Sequence, residues 1–324
     1  MDSSVSSVAA AKRAAARNRM VRKTGKFLFS ILRLVFLISV GYIVLYPLLY
    51  MIVSSVTPRE EILTSARTWI PEVLTLKNYE FVIGVMDYWR SLWSTFSNEI
   101  IAAMLEVCSC AVVAYGFARF KFKLKGPLMA ILYLTILIPM TMLIIPMSVN
   151  FANLDFLGIL GLFNRLTGID LRPNLIGSPL AFYLPAITAS GLQSGILILI
   201  YIQFFKEMPV EFEEAAQVDG AGPLRTFLKI IIPSAGVVII TVVIFSLIWH
   251  WNDYQMALMF MGENYPLSVK LSTLADDITT RNIWSNTGVF VLAGCVLFVV
   301  PLLIVYMVLQ RWFIESVDRV GITG

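Results

Sequence analysis

Glu99 and Glu106 stand seven residues apart in an otherwise apolar stretch. That is about two helical turns, so a helix there presents both carboxylates on similar faces. Carboxylates inside a membrane are costly. The two therefore read as ion-coupling groups, as contacts for a hydroxylated solute, or as pairing groups for a neighbouring helix or second subunit. A second set, Trp249, Trp251, Asn252, Asp253 and Tyr254, combines aromatic faces with polar tips. This mix stacks on sugar rings and bonds hydroxyls, and it equally forms an aromatic belt or packs between subunits. His250, inside that set, is the only histidine, so no His-based metal site is expected within one chain; a proton-relay role is the other reading. Cys108, Cys110 and Cys295 lie in apolar stretches and read as packing residues, not as a metal or disulfide framework. No nucleophile–base constellation and no G-x-x-x-x-G-K-[ST] loop occurs, so neither a catalytic residue nor a nucleotide site is expected in this chain.

The elements that must position these residues are set by composition. Of 324 residues, 58% are hydrophobic and 14% charged, against roughly 45–50% and 25% in soluble domains. That excludes an ordinary soluble enzyme, and a net charge of +4 gives no reason to expect nucleic-acid binding. Uncharged runs cover residues 34–58, 127–154, 173–205 and 288–309, each long enough to cross a bilayer, which takes about 20 apolar residues. Residues 96–118, carrying Glu99 and Glu106, and residues 230–251 complete six expected spans. A basic arm, 1–26, precedes the first of them, and Arg33 at its start can snorkel toward headgroups. With the N-terminus inside, cytoplasmic segments hold 16 Lys and Arg and the opposite side 8, the asymmetry expected of that orientation. If the fifth helix starts near Ser234, Trp251 lies about 25 Å up, close to the outer edge of a core of about 30 Å.

Between the fourth and fifth spans the sequence reads KEMPVEFEEAAQVDGAGPLRTFLKIIIP, residues 206–233. Pro209 suits a first helical position, and Glu211, Glu213 and Glu214 then favour the positive end of the helix dipole. Ala215 and Ala216 extend the helix with small side chains. Gly220, after Asp219, supplies the positive-φ residue that ends it. Pro223 opens a second helix in which Leu224, Phe227, Leu228 and Ile231 recur at helical spacing. Such a helix–turn–helix either rests on the membrane or enters a groove on another protein, its flanking acids pairing with basic rim residues.

Glu214-Ala215-Ala216, three residues, Gly220, nine residues, Ile230, one residue, Ile232 and Pro233 resemble the EAA loop, E-A-A-x3-G-x9-I-x-L-P, of inner-membrane permease subunits of binding-protein-dependent ABC importers. Only Ile232 departs, isoleucine for leucine. Stretches 114–126, 138–147, 248–254 and 310–324 extend the resemblance over most of the chain after about residue 95, toward the second permease subunit of maltose-type systems. The last stretch lacks the usual glycine-rich ending with its closing lysine–glycine pair.

The resemblance implies an all-α polytopic membrane protein of a prokaryotic plasma membrane, with six transmembrane helices, a cytoplasmic coupling helix between spans four and five, and both termini cytoplasmic. Its expected divisions are an arm, 1–26; a first helix, 27–58; an extracytoplasmic loop, 59–93; a permease core, 94–310, containing the EAA loop at 206–233; and a tail, 311–324. The implied partners are a second homologous permease, an ATPase dimer holding ATP and Mg, an extracytoplasmic solute-binding protein and a carbohydrate substrate. By the same resemblance Glu213, Glu214, Ala215, Ala216, Asp219 and Gly220 dock the ATPase. The substrate path would pass Trp249, Trp251, Asn252, Asp253 and Tyr254. The competing class is an ion-coupled secondary transporter working through Glu99 and Glu106.

Overall fold

A computed structural model describes residues 2–64, 71–155, 158–280 and 287–321, with side chains described over 25–61, 71–155, 158–280 and 287–311. The basic side chains of the arm before Gly25, Arg67, Arg281 and the side chains of the C-terminal tail after Arg311 lie outside these. The described residues are all helical or irregular, with no strand among them. They form two compact units, Met1–Thr75 and Leu76–Gly324.

The smaller unit holds α1 (Asp2–Ser55) and α2 (Arg59–Thr64). The backbone of the arm is continuous with the first apolar stretch, since alanines and long basic side chains favour helix. From Phe27 to Ile52 most large apolar side chains of α1 are exposed, the surface of a helix whose surroundings are lipid or another chain. Tyr42, Tyr46 and Tyr50 form a ladder on one face, their ring centroids 5.6 and 6.5 Å apart.

The larger unit begins with α3 (Lys77–Val85) and α4 (Tyr88–Ser94), then a π-helical turn over Thr95–Ile100 leading into α5 (Ile101–Arg119). From Tyr88 to Arg119 this is a single apolar rod of 32 residues, starting earlier than the expected 96–118. Next come α6 (Lys125–Leu137), α7 (Met140–Ala152), α8 (Ile159–Thr167), α9 (Leu180–Ile187) and α10 (Ser194–Glu207). The expected third span is therefore not one rod: α6 and α7 meet at 105°. The cause is Pro139, which lacks an N–H and forces the residue before it into extended backbone; Ile138 has ψ 118°. The uncharged run 173–205 likewise divides into α9 and α10.

The chain continues with α11 (Glu211–Val218), α12 (Pro223–Thr226), a π turn over Phe227–Ile231, α13 (Ile232–Ser234), α14 (Gly236–Asn252), α15 (Gln255–Phe260), α16 (Leu267–Thr280) and α17 (Gly288–Gly321). A bend of 82° separates α13 from α14. Three helices are long and apolar enough to cross a membrane among the described residues, or five if each bent pair is one span.

Three apolar clusters hold the unit together. Residues of α5, α10 and α14 interlock around Tyr201 and Phe205; α3, α16 and α17 pack with Trp251; α7, α9 and α15 meet at Phe151, Phe182 and Phe260. The first fixes α5 against α10 and α14, and so positions both charged groups described next.

Candidate functional site

In the larger unit, α5 finishes at Arg119 and α10 at Glu207, and α11 is joined to the end of α5 through Arg119 and Glu213. Pro209 is not the first helical residue as expected; the helix begins at Glu211 after Val210, still with Glu211, Glu213 and Glu214 in its first turn, a small displacement at a helix end, where the hydrogen-bond ladder frays. Gly220 ends α11 with φ +76°. Around it the Ala221 N–H donates to the Ala216 carbonyl at 2.9 Å and the Gly220 N–H to the Gln217 carbonyl at 3.0 Å, the paired bonds of a Schellman cap. A Cβ on Gly220 would meet open space, so it is the backbone angle alone that demands glycine.

The faces of α11 are divided. Glu213 turns inward, its Oε1 2.8 Å from Arg119 Nε, with both side chains largely covered. Arg119 also donates through Nη2 to the Met208 carbonyl at 2.8 Å. Ala216 is buried. Beneath them Phe227 tilts against Tyr115 at 4.8 Å, and both rings meet Phe205. Glu214, Ala215, Asp219 and Gly220 face outward, among exposed Val210, Phe212, Val218, Leu224 and Leu228. The motif residues are thus brought together on one short element, with two of them holding it down and four presented.

A second charged group lies deep inside. Glu99, on the π turn, and Glu106, on α5, are both fully buried, and His250 of α14 nearly so. His250 Nδ1 is 3.2 Å from Glu99 Oε2, and Nε2 is 3.0 Å from Glu106 Oε2. Ser246 donates to Glu106 Oε2 at 3.2 Å, and Ser194, the first residue of α10, donates to Oε1. A Cβ on Gly191 would come within 2.8 Å of that same oxygen, so the chain approaches Glu106 closely only because that residue is glycine.

Both imidazole nitrogens face carboxylate oxygens, and for both contacts to be hydrogen bonds the three groups must hold at least two protons between them. An imidazolium between two carboxylates, or a neutral ring with one protonated carboxyl, satisfies this. The cluster ties α5, α10 and α14 at one point, and among the described residues no group of three or more His, Cys, Asp or Glu is arranged to hold a metal ion.

Sequence reasoning singled out each of these three residues and did not join them. The available signal was that three ionisable groups of opposite tendency in apolar helices must find one another, since none tolerates isolation there.

The aromatic group at the end of α14 is dispersed. Trp251 is in the core, its Nε1 donating to the Phe298 carbonyl at 3.2 Å. Asp253 is largely covered; its Oδ1 accepts from the Met256 N–H at 3.2 Å, and its carbonyl accepts from Ser268 at 2.6 Å. Trp249 stacks on Phe245. Asn252 and Tyr254 are exposed.

Residues 109–319, which include α11, Arg119 and His250, match the family described as binding-protein-dependent transport system inner membrane component. The chain belongs to that family. It is 26% identical over 310 residues to the arabinooligosaccharides transport system permease protein AraQ of Halalkalibacterium halodurans, covering 94% of this chain and 100% of the relative. It is 26% identical to the trehalose transport system permease protein SugB of Mycobacterium tuberculosis, over 88% of this chain and 94% of that one. With the sn-glycerol-3-phosphate transport system permease protein UgpE of Escherichia coli it shares 24% identity, over 85% and 90%. Its fold is similar to a chain in the crystal structure of a bacterial ABC transporter involved in the import of the acidic polysaccharide alginate, with TM-score 0.63, 22% identity and coverage of 88% and 96%. Membership makes the chain a membrane transport component. It gives no support to an ion-coupled secondary transporter, and Glu99 and Glu106 are both engaged with His250.

Proposed function

We propose that this chain is one of two permease subunits of an ATP-driven carbohydrate importer, that its α11 is gripped by a separate ATPase dimer, and that six spans carry it across the membrane with both termini cytoplasmic. The observation that carries the reading is the two-faced α11. Its Glu213 is pinned to α5 by Arg119, while Val218 on the other side is 87% exposed. A short helix fixed beneath and apolar above suits a partner's groove and passes movement straight into α5. Glu214 and Asp219 would pair with basic residues at the groove's rim, and Ala215 would allow close approach. ATP and Mg would be bound by the ATPase, and a solute-binding protein would deliver substrate at the opposite face. There Asn252 and Tyr254, exposed at the far end of α14, would border the path. The carbohydrate class is supported by the names of the relatives.

Affinity purification of the tagged chain in mild detergent tests this. The expected result is recovery of a soluble ATPase and a second permease with the intact chain, and loss of the ATPase alone with Ala215→Trp or Gly220→Pro. Recovery of a fully inserted chain with no ATPase would overturn the proposal.

A further inference from the structure

After α7 the chain leaves the core and returns to the same place. The Leu154 N–H donates to the Pro173 carbonyl at 3.0 Å and the Leu175 N–H to the Phe151 carbonyl at 2.8 Å, so the two ends of the excursion are held side by side. Phe151 and Leu175 are buried among residues of α9 and α15, which fixes that base. Between these bonds stands α8, none of whose residues is buried. Its Ile159, Leu162, Phe163 and Leu166 recur at i, i+3, i+4 and i+7, one face of a helix. All four are exposed, from 39% at Phe163 to 77% at Leu166. Beyond Gly168, which stops the helix with φ +75°, Ile169 and Leu171 are exposed as well. A contiguous apolar patch of this kind marks an interaction surface.

The build of the segment favours lipid as the cover. Its polar groups are paired within it. Asp155 Oδ1 accepts from the Leu160 N–H at 2.9 Å and Oδ2 from the Gly161 N–H at 2.8 Å. At the other end the Gly168 N–H donates to the Asn164 carbonyl at 2.7 Å and the Thr167 hydroxyl to the Phe163 carbonyl at 2.8 Å. Arg172 donates to both oxygens of Asp170, at 2.9 and 2.7 Å. A segment that enters a medium poor in hydrogen-bond partners needs its own groups satisfied in this way. The apolar face carries only aliphatic and phenyl side chains, without the Tyr, Trp or Arg that anchor protein partners. On either side of the excursion, Ile145 and Val149 of α7 and Leu180 and Leu184 of α9 are exposed too. The face of α8 therefore continues the apolar surface of an inner-membrane component.

We propose that α8 is an interfacial anchor, lying in the plane of the bilayer surface with Ile159, Leu162, Phe163 and Leu166 among the upper acyl carbons. Arg165, at the border of that face, reaches toward lipid phosphate with its apolar stem laid along the interface. The assignment of a leaflet rests on the importer reading above, whose six-span topology puts the end of α7 outside and the anchor in the outer leaflet. The charged residues of 155–172 are Asp155, Arg165, Asp170 and Arg172, which cancel. Apolar area, not attraction to anionic lipid, therefore drives the contact, and the anchor holds in zwitterionic membranes. Through the bond at Phe151 it sets the depth at which the end of α7 meets α9 and α15.

The experiment uses the full chain with the subunits that co-purify with it, reconstituted in phosphatidylcholine vesicles. Cys108 and Cys295 are replaced by alanine, the other subunits are freed of cysteine, and a nitroxide is attached at Leu162→Cys, Leu166→Cys or, on the opposite face, Asn164→Cys. Power saturation compares contact with oxygen, which concentrates in the bilayer, and with a water-soluble nickel chelate. The expected oxygen-to-nickel ratio is about ten-fold higher at 162 and 166 than at 164, as for a face sunk about 5–10 Å into the interface. It should not change when phosphatidylglycerol replaces part of the phosphatidylcholine. A preference for nickel at 162 and 166 would put the face in water and overturn the proposal. Exclusion of both reagents there, with an immobilised nitroxide, would overturn it in favour of a protein cover, the second permease or the solute-binding protein. Contact that appears only with phosphatidylglycerol would defeat the apolar basis of the anchor. The leaflet is read separately: in spheroplasts, Asn164→Cys should react with a membrane-impermeant maleimide without permeabilisation. Reaction only after permeabilisation would overturn the topology of the importer reading, while the saturation ratios still decide the lipid contact.

Discussion

The ion pair under α11 and the cluster around His250 use related chemistry, a nitrogen-bearing side chain against carboxylates, in two degrees of enclosure. Arg119 and Glu213 keep 9% and 14% of their side-chain surface exposed, and the pair joins one surface helix to one core helix. Glu99, Glu106 and His250 keep 0–5% and join three core elements. On the proposed reading, the first charge holds the part that a partner grips, and the second holds the frame that such a grip would have to move. The less enclosed a charged contact is, the less it costs to form; one enclosed on every side is costly to form and far more costly to break on one side. The molecule places the less enclosed contact under a surface helix and the more enclosed one at its centre.

The sharpest way to break this contrast is to remove His250. His250→Ala leaves two carboxyl groups buried beside each other without the ring that bonds both, and losing one member of a buried charged set costs about 3–5 kcal/mol. Thermal unfolding of the detergent-solubilised complex should show a larger loss than any other single substitution at either charged contact produces. Adding Glu99→Gln and Glu106→Gln to that variant should recover much of it, because the amides carry no charge and, at 106, the amide oxygen can accept from one of Ser194 and Ser246 while its NH2 donates to the hydroxyl oxygen of the other. No recovery would mean that His250 acts by packing volume instead of charge.

Removing the outer pair should matter less. Arg119→Met, Glu213→Gln and the double variant form a cycle whose coupling is expected at ~1–2 kcal/mol, within the range for residues in contact. Hydrogen exchange should locate the loss in α11 and in the last turn of α5, with the α5–α10–α14 frame unchanged. Exchange loosened equally throughout would merge the two regions into one.

Gly220 sharpens the comparison on the loop side. Its φ of +76° would cost an alanine about 1 kcal/mol, and since open space surrounds the Cβ position, no clash adds to that. Gly220→Ala should therefore weaken ATPase retention about five-fold in a pull-down titration. Gly220→Asn should weaken it less, because asparagine tolerates the left-handed region. A larger deficit for Asn than for Ala would show that side-chain contact, not backbone angle, governs this position.

The loop was legible in the sequence because its rules are local. Acids in a first turn, a glycine stop and Pro223 at the start of the next helix each act over a few residues, and each is found in place. What could not be read was which face of α11 turns inward, since that depends on Arg119, far back in the chain. The central cluster failed for the same reason at greater range. Glu99 and Glu106 announce themselves by charge, but their partner lies on another helix, and nothing near His250 in the chain points to them. Proline marked the bend at 138–139, while the uninterrupted lack of charge over 127–154 suggested one rod. Charge count measures compatibility with lipid, and backbone direction is set by the missing N–H.

The smallest expected change in stability belongs to Val218, and it discriminates most cleanly between a held face and a presented one. With 87% of its surface exposed, Val218 contributes almost nothing to the isolated chain, so Val218→Ser should shift unfolding by less than about 0.5 kcal/mol. If a partner's groove covers it, the same change removes apolar burial from the bound state only. Burying a valine fully is worth about 1.5 kcal/mol or more, so ATPase association should weaken about ten-fold while the melting curve stays in place. Affinity and stability then separate at this residue, whereas at Ala216, buried on the opposite face, Ala216→Trp should lower both together. Should Val218→Ser leave ATPase retention intact, the outward face of α11 is not the surface that the ATPase grips.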